Sequence, residues 1–237
     1  IKEAGEHKPK WFETYKKRGL RVKLAVDDAD GKVAGMIQYL PVEETFVEGK
    51  DLYLVLCIWV HGHKQGLGDR RKRGLGRALI EAAEADARAQ EAKGMAAWGL
   101  SIPVWMKAAW FLKQGYRRAD RMGIQTLVWK PFTDDAQPPR WVRPKKKPGT
   151  QPGKVTITAF KNGWCPAQNI AFERAKRAAE KFGDRVDFQE INTSRREIFE
   201  EWGRSDALFI DGKSVRTGPP PSYEKIRKKI ARRIKTL

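Results

Sequence analysis

Cysteine is nearly absent: the 237-residue chain holds two, Cys57 and Cys165. So few, in stretches that read as separate domains, exclude a disulfide framework and suit a reducing compartment. Histidine is as sparse, with three residues, two of them in His61-Gly62-His63. Zinc takes three or four ligands, and no Cys, Asp or third His stands close by, so this pair reads as loop structure and no metal is expected. No apolar run is long enough to span a bilayer, and no signal peptide opens the chain. The expectation is a soluble, cytoplasmic protein with no membrane partner. Acidic residues are outnumbered, 29 against 48 Lys and Arg, for a net charge of +19. Such an excess attracts anions, whether phosphates, nucleic acid or acidic protein. Nucleic acid stays open as a partner class, but no RRM, KH or helix-turn-helix pattern accompanies the charge. No internal repeat is apparent.

What is present divides the chain. Residues 133–153 hold Pro138-Pro139, Pro144, Lys145-Lys146-Lys147-Pro148, Pro152 and Gly153, with few apolar side chains. That composition reads as a semi-extended linker between a domain at 1–132 and one at 154–237. In the first, residues 21–26 and 33–39 flank an Asp30-Gly31 turn and read as a hairpin. Residues 52–60, Leu-Tyr-Leu-Val-Leu-Cys-Ile-Trp-Val, form a continuous apolar run, the mark of a strand buried on both faces. A helix carrying Leu79, Ile80, Ala83 and Ala87 on one face follows. Then come a strand at 95–100, a helix at 105–115 and a strand at 124–129. The fold class is α/β (α+β), with a mixed, mainly antiparallel sheet flanked by helices.

Between the apolar strand and its helix lies Arg71-Lys72-Arg73-Gly74-Leu75-Gly76-Arg77-Ala78. Glycines here let a ligand approach the backbone, and the helix start presents free N–H groups and the positive end of its dipole. A pyrophosphate suits that arrangement. A Walker A loop is excluded because Arg77-Ala78 stands where Lys-Ser/Thr is required, and a dinucleotide fingerprint lacks its third glycine. What remains is Arg/Gln-x-x-Gly-x-Gly/Ala, filled by Arg71, Gly74 and Gly76.

This pattern, in this order of elements, resembles the acetyl-CoA motif of the GNAT N-acetyltransferases. The segments Gly35-Met36-Ile37-Gln38-Tyr39, Cys57-Ile58-Trp59-Val60-His61-Gly62, Ala97-Trp98-Gly99-Leu100 and Gly163-Trp164-Cys165-Pro166 are similar to the YoaP-type subfamily. There a GNAT domain precedes a small thioredoxin-like domain. The resemblance implies a first strand ahead of the segment around Trp11 and Tyr15, and this chain starts at Ile1 without it.

The resemblance also implies acetyl-CoA as co-substrate and a small-molecule or peptide amine as acceptor. Ile58, Trp59 and Val60 would pair with the pantetheine arm like an added strand. The amides of Arg73, Gly74, Leu75, Gly76, Arg77 and Ala78 would hold the pyrophosphate, with Arg71 and Arg73 adding charge-assisted bonds. Attack requires a neutral amine, hence a general base; Glu43 is the first candidate, ahead of Glu44, Glu48 and Asp51. The leaving thiolate is usually protonated by a Tyr four residues before a Gly-aromatic pair. Aligned on Gly115-Tyr116, that position is Phe111, which cannot donate. Cys57 reads as a small core hydrophobe, and residues 62–69 as a lip over the site.

Residues 154–237 read as βαβαββα: strands at 155–160, 186–191, 207–210 and 213–216, helices through Ala171–Phe182, at 195–202 and at 223–234. This looks like a minimal thioredoxin fold, with Cys165 at the redox position and its thiolate favoured by a helix N-terminus. Gln168 replaces the resolving cysteine, and Arg204-Ser205-Asp206 stands where a cis-proline is expected. A dithiol oxidoreductase is thereby disfavoured. The leading expectation is an acetyltransferase; the alternatives are an acyl-CoA-binding sensor or adaptor, and a monothiol protein acting through Cys165.

Overall fold

The computed structural model describes residues 2–103 and 105–237. After a short helix α1 (His7–Lys16) the chain runs β1 (Arg21–Asp27), β2 (Lys32–Pro41), β3 (Val47–Glu48), β4 (Leu52–Val60), α2 (Leu75–Ala89), β5 (Gly94–Leu100), α3 (Ala108–Lys113), β6 (Arg117–Met122), β7 (Gln125–Pro131) and β8 (Arg140–Trp141). It continues β9 (Val155–Lys161), α4 (Pro166–Glu180), β10 (Val186–Asn192), α5 (Arg196–Trp202), β11 (Ala207–Ile210), β12 (Lys213–Val215) and α6 (Tyr223–Ile234). Contacts gather these into two compact units, Lys16–Val142 and the residues up to Tyr15 with Arg143–Leu237.

The unit Lys16–Val142 is built on a six-stranded sheet in the order β1-β2-β4-β5-β7-β6. Every neighbouring pair is antiparallel except β4 and β5. A parallel pair needs a long crossover, and α2 supplies it. Leu79, Ile80, Ala83 and Ala87 are buried on α2, which packs on β1, β2, β4 and β5. The hairpin, the apolar strand and the helix behind it therefore stand where periodicity put them. The helix expected at 105–115 is confined to α3.

Three strands were not expected. β6 has the sequence Arg-Arg-Ala-Asp-Arg-Met and lies at the sheet edge. Without alternating apolar residues it carries no strand signal. β3 and β8 pair in a separate two-stranded sheet, so the first half of the supposed linker is packed. Trp141 is the reason: it is buried and stacks on Phe46 with ring centroids 5.9 Å apart.

In the other unit the strand order is β10-β9-β11-β12, parallel between β9 and β10 and antiparallel elsewhere. The element order is the βαβαββα expected. Val155, Ile157 and Ala159 of β9 share a core with Phe172, Ala175 and Ala178 of α4 and Ile226 and Ile230 of α6. The second half of the linker belongs here: Lys145 N–H donates to Trp202 O at 3.0 Å. The domain boundaries at 132 and 154 are corrected accordingly, and so is the placement of the N-terminal residues in the first domain. Glu3 takes hydrogen bonds from Arg174 and Arg177, His7 meets Glu173 at 2.6 Å, and the Tyr15 hydroxyl donates to Ser194 O. The arginines beside Glu3 hold its carboxyl down to about 2.

Candidate active site

β4 and β5 pair only from Leu52↔Gly94 to Val55↔Ala97, although both strands run on, to Val60 and Leu100. The cause sits at Leu56. Along β2, Tyr39 opposes Val55 and Gln38 opposes Cys57, so Leu56 is an extra residue in β4. A bulge bends its strand and ends local pairing. From there β4 stays with β2 while β5 stays with β7, and Ile58, Trp59 and Val60 turn a main-chain edge toward an opening. Trp98 Nε1 donates to Leu56 O at 3.0 Å, bridging the strands where they part.

The start of α2 stands beside this opening. Gly74 is its N-cap, with φ of 80°, a left-handed conformation that glycine adopts without steric cost. The Ala78 amide closes the first turn on Gly74 O at 3.0 Å. The amides before it, of Leu75, Gly76 and Arg77, are the orphan donors of a helix start. A Cβ on Gly76 would lie 3.5 Å from Trp110 and 3.9 Å from Val60. The glycine turn, β4 and α3 are therefore immediate neighbours.

The basic cluster is held by carboxylates. Asp27, at the end of β1, accepts from both Arg70 and Arg73, while Arg70 also donates to Asp30 at 2.8 Å. Asp27 is 5% exposed. The Arg73 guanidinium first, and the Ala29 amide second, hold its carboxyl below the usual range. Arg71 is clamped on Asp69 at 2.6 and 2.9 Å. Gly62 makes room for Arg71, because a Cβ there would come within 2.7 Å of its side chain. Residues 61–70 close on themselves through Arg70 N–H to His61 O and His61 Nδ1 to Gly68 O, both at 2.8 Å.

Residues 3–116 match the model of the Acetyltransferase (GNAT) family. The six-stranded unit is a mixed, mainly antiparallel sheet flanked by helices, an architecture that matches GNAT acetyltransferase folds. No curated protein matches the chain. Solved structures similar to it include a GNAT acetyltransferase from Brucella melitensis in complex with acetyl-CoA, at 19% identity over 56% of this chain and 73% of that one, TM-score 0.39. Another is an Escherichia coli GNAT N-acetyltransferase in complex with CoA, at 17% identity over 55% and 69%, TM-score 0.39. A third is an N-acetyltransferase from Thermoplasma acidophilum in complex with coenzyme A, at 11% identity over 52% and 68%, TM-score 0.40.

The residues singled out in the sequence fall into two groups. Ile58, Trp59, Val60 and the run from Arg71 to Ala78 gather around the opening. Glu43 does not. It follows Pro41, which opposes Tyr53, whereas the opening lies toward Val60. Seven residues of strand separate the two ends, about 23 Å at ~3.3 Å per residue. Glu43 instead accepts a hydrogen bond from the Asp51 amide at 2.8 Å, closing the turn into β4. Glu43 is therefore corrected from general base to turn residue. Phe111, at the position of the usual Tyr and a candidate coenzyme contact, is buried: its ring is 0% exposed and packs edge-on against Trp110 and Tyr116. It presents no surface to a ligand. The neighbouring Tyr116 hydroxyl is buried beside Glu84, and burial raises its pKa far beyond that of an ordinary phenol.

In the other unit Cys165 is the N-cap of α4, as expected, but its thiol is not activated. Burial first, and the Asp206 charge second, raise its pKa, outweighing the amides of Gln168 and Ala167. Desolvation defeats the helix dipole here, which corrects the expected thiolate. Burial also lifts Asp206 to about 6, against hydrogen bonds from the Asn162 amide and the Ser205 hydroxyl.

Asp27 and the carboxylate role of Asp30 are what sequence reasoning missed at the site. The Asp27–Arg70 and Asp27–Arg73 contacts span 43 and 46 residues, and no local pattern marks such a pair.

Proposed function

We propose that the six-stranded unit binds acetyl-CoA and transfers its acetyl group to an amine. The observation that carries this reading is the splay of β4 and β5 beside a glycine-capped helix start. The donor set fits the coenzyme. Free amides at the head of α2 suit a pyrophosphate, with Arg71 and Arg73 close enough to trade a carboxylate partner for a phosphate oxygen. The open edge of Ile58, Trp59 and Val60 suits the amides of the pantetheine arm.

In the reaction, the amine nitrogen forms a bond to the thioester carbonyl carbon and the C–S bond breaks. The electron pair leaves on sulfur, and the amine proton passes to solvent or to a base reached through water. Phe111 donates nothing, so departure rests on the low basicity of a thiolate. That same residue favours a second reading, an acyl-CoA-binding domain without turnover. For residues 143–237 with α1, we propose a thioredoxin-like module with a shielded monothiol at Cys165.

Calorimetric titration of acetyl-CoA tests the first reading. Binding by the native chain, lost in a Gly74→Glu, Gly76→Glu variant, supports it. Coenzyme binding without thiol release in the presence of amines selects the non-catalytic reading, and no binding overturns both.

A further inference from the structure

The two faces of the opening differ in chemistry. Val60 faces α2, since a Cβ on Gly35 would lie 3.2 Å from it and 3.3 Å from Leu79. Gly99 faces α3, since a Cβ there would meet Ala108 at 2.6 Å. Side chains alternate along a strand, so Trp59 and Trp98 both project from the opposite face, one on each side of the splay. The register Leu24↔Met36↔Trp59 extends that face across β2 to β1. Leu24 is 55% and Trp59 38% exposed, and Trp105, 46% exposed, meets the Trp98 ring edge-on at 5.6 Å.

With the coenzyme pyrophosphate at the head of α2, the acceptor must reach the thioester from this second face. The residues presented there on β1, β2, β4 and β5 include Leu24, Met36, Gln38, Cys57, Trp59 and Trp98, and none carries a carboxylate. In register beyond them, Asp120 on β6 opposes Leu127, but its carboxylate accepts from the amides of Arg121 and Trp141 at 2.6 and 2.9 Å. Two indoles offer a flat apolar body a large contact area, and their faces favour a single ammonium. A polyamine or aminoglycoside would bring several cations to a chain of net charge +19, and the one acidic side chain on these strands, Asp27, is already taken by Arg70 and Arg73.

We infer that the acceptor is a monoamine carried on an aromatic or comparably flat apolar body, held between Trp59 and Trp105. This rests on the acetyl-transfer reading.

The test is coenzyme A thiol release by the full chain with acetyl-CoA and one of three amines: phenethylamine, spermidine or a Lys-containing peptide without aromatics. Turnover is expected with phenethylamine at the highest kcat/KM. Trp105→Ala should raise its KM about tenfold, leaving kcat and the calorimetric affinity for acetyl-CoA nearly unchanged. Preference for spermidine or the peptide, or an unmoved KM in Trp105→Ala, overturns the inference while the acetyltransferase reading stands. Absence of turnover with every amine overturns both.

Discussion

Trp98 donates its indole N–H to the carbonyl of Leu56, 3.0 Å away, at the point where two parallel strands stop pairing. The acceptor is the one residue of β4 that the β2 register passes over. A side chain thus satisfies a bulge carbonyl and fixes where the opening begins. Trp98→Phe keeps the ring and removes the donor. The expected loss is about 1–2 kcal/mol by urea denaturation, the range for a buried group left unpaired.

Asp27 holds Arg70 and Arg73 together. Asp27→Asn leaves two guanidiniums facing each other and frees the residue just ahead of Gly74. The affinity for acetyl-CoA should fall by roughly tenfold, with Asp27→Glu recovering part of it. Calorimetry beside a thermal melt checks this; unchanged affinity in a folded Asp27→Asn would show that the clamp does not position the loop.

The two glycines of the motif should respond differently to alanine. Gly74 has φ of 80°, so Gly74→Ala forces a left-handed conformation costing about 1–2 kcal/mol. Gly76 lies within α2, and its added methyl would meet Trp110 at an ordinary 3.5 Å. Gly76→Ala should be neutral or stabilise by up to ~1 kcal/mol through helix propensity. Melting temperatures that move together contradict the assignment.

Asp206 couples stability to pH. Its carboxyl is raised from 3.8 to about 6 in the folded chain, so the fold favours the protonated form. That contribution is complete below the unfolded value and disappears as pH rises through about 6. Asp206→Asn should therefore match the native chain near pH 3.5 and exceed it above pH 7 by on the order of 2–3 kcal/mol. The same variant removes a charge that raises the Cys165 pKa, so iodoacetamide should modify the thiol at lower pH. An unchanged alkylation profile refutes the coupling.

Asp86 has the opposite sign. It accepts from the Tyr39 hydroxyl at 2.5 Å and from Arg21 and Lys23 at 2.9 Å. Arg21 most of all holds its carboxyl far below the usual 3.8. The stabilisation is present above 3.8 and lost as pH falls toward the folded value. Denaturation midpoints should drop with acid below pH 4, and less steeply in Asp86→Asn. Tyr39→Phe should cost about 1–2 kcal/mol at neutral pH.

Strong periodicity made much of this fold legible. The β4 run, the apolar stripe of α2 and the Asp30-Gly31 turn each state their element locally, and Arg71 to Ala78 states the helix start. β6 was illegible because an edge strand of Arg and Asp needs no apolar alternation. Glu43 was misplaced because proximity in sequence to a hairpin does not say which end of the sheet it closes; only the Pro41↔Tyr53 register does. Cys165 was misjudged because a helix N-terminus is visible in sequence and burial by distant residues is not. Asp27 was invisible for a related reason: an ion pair over more than forty residues is decided by topology.

The packing of the residues up to Tyr15 with Arg143–Leu237 makes the six-stranded unit an insertion, spliced into the other unit between residues 15 and 143. Excision is therefore asymmetric. A fragment cut at residue 132 keeps α1 but discards the surface that Glu3, His7 and Tyr15 bind, and a fragment begun at residue 154 lacks α1 entirely. The smaller unit is recovered whole only by joining two separated pieces of chain with a short bridge, whereas residues 16–142 form one uninterrupted piece.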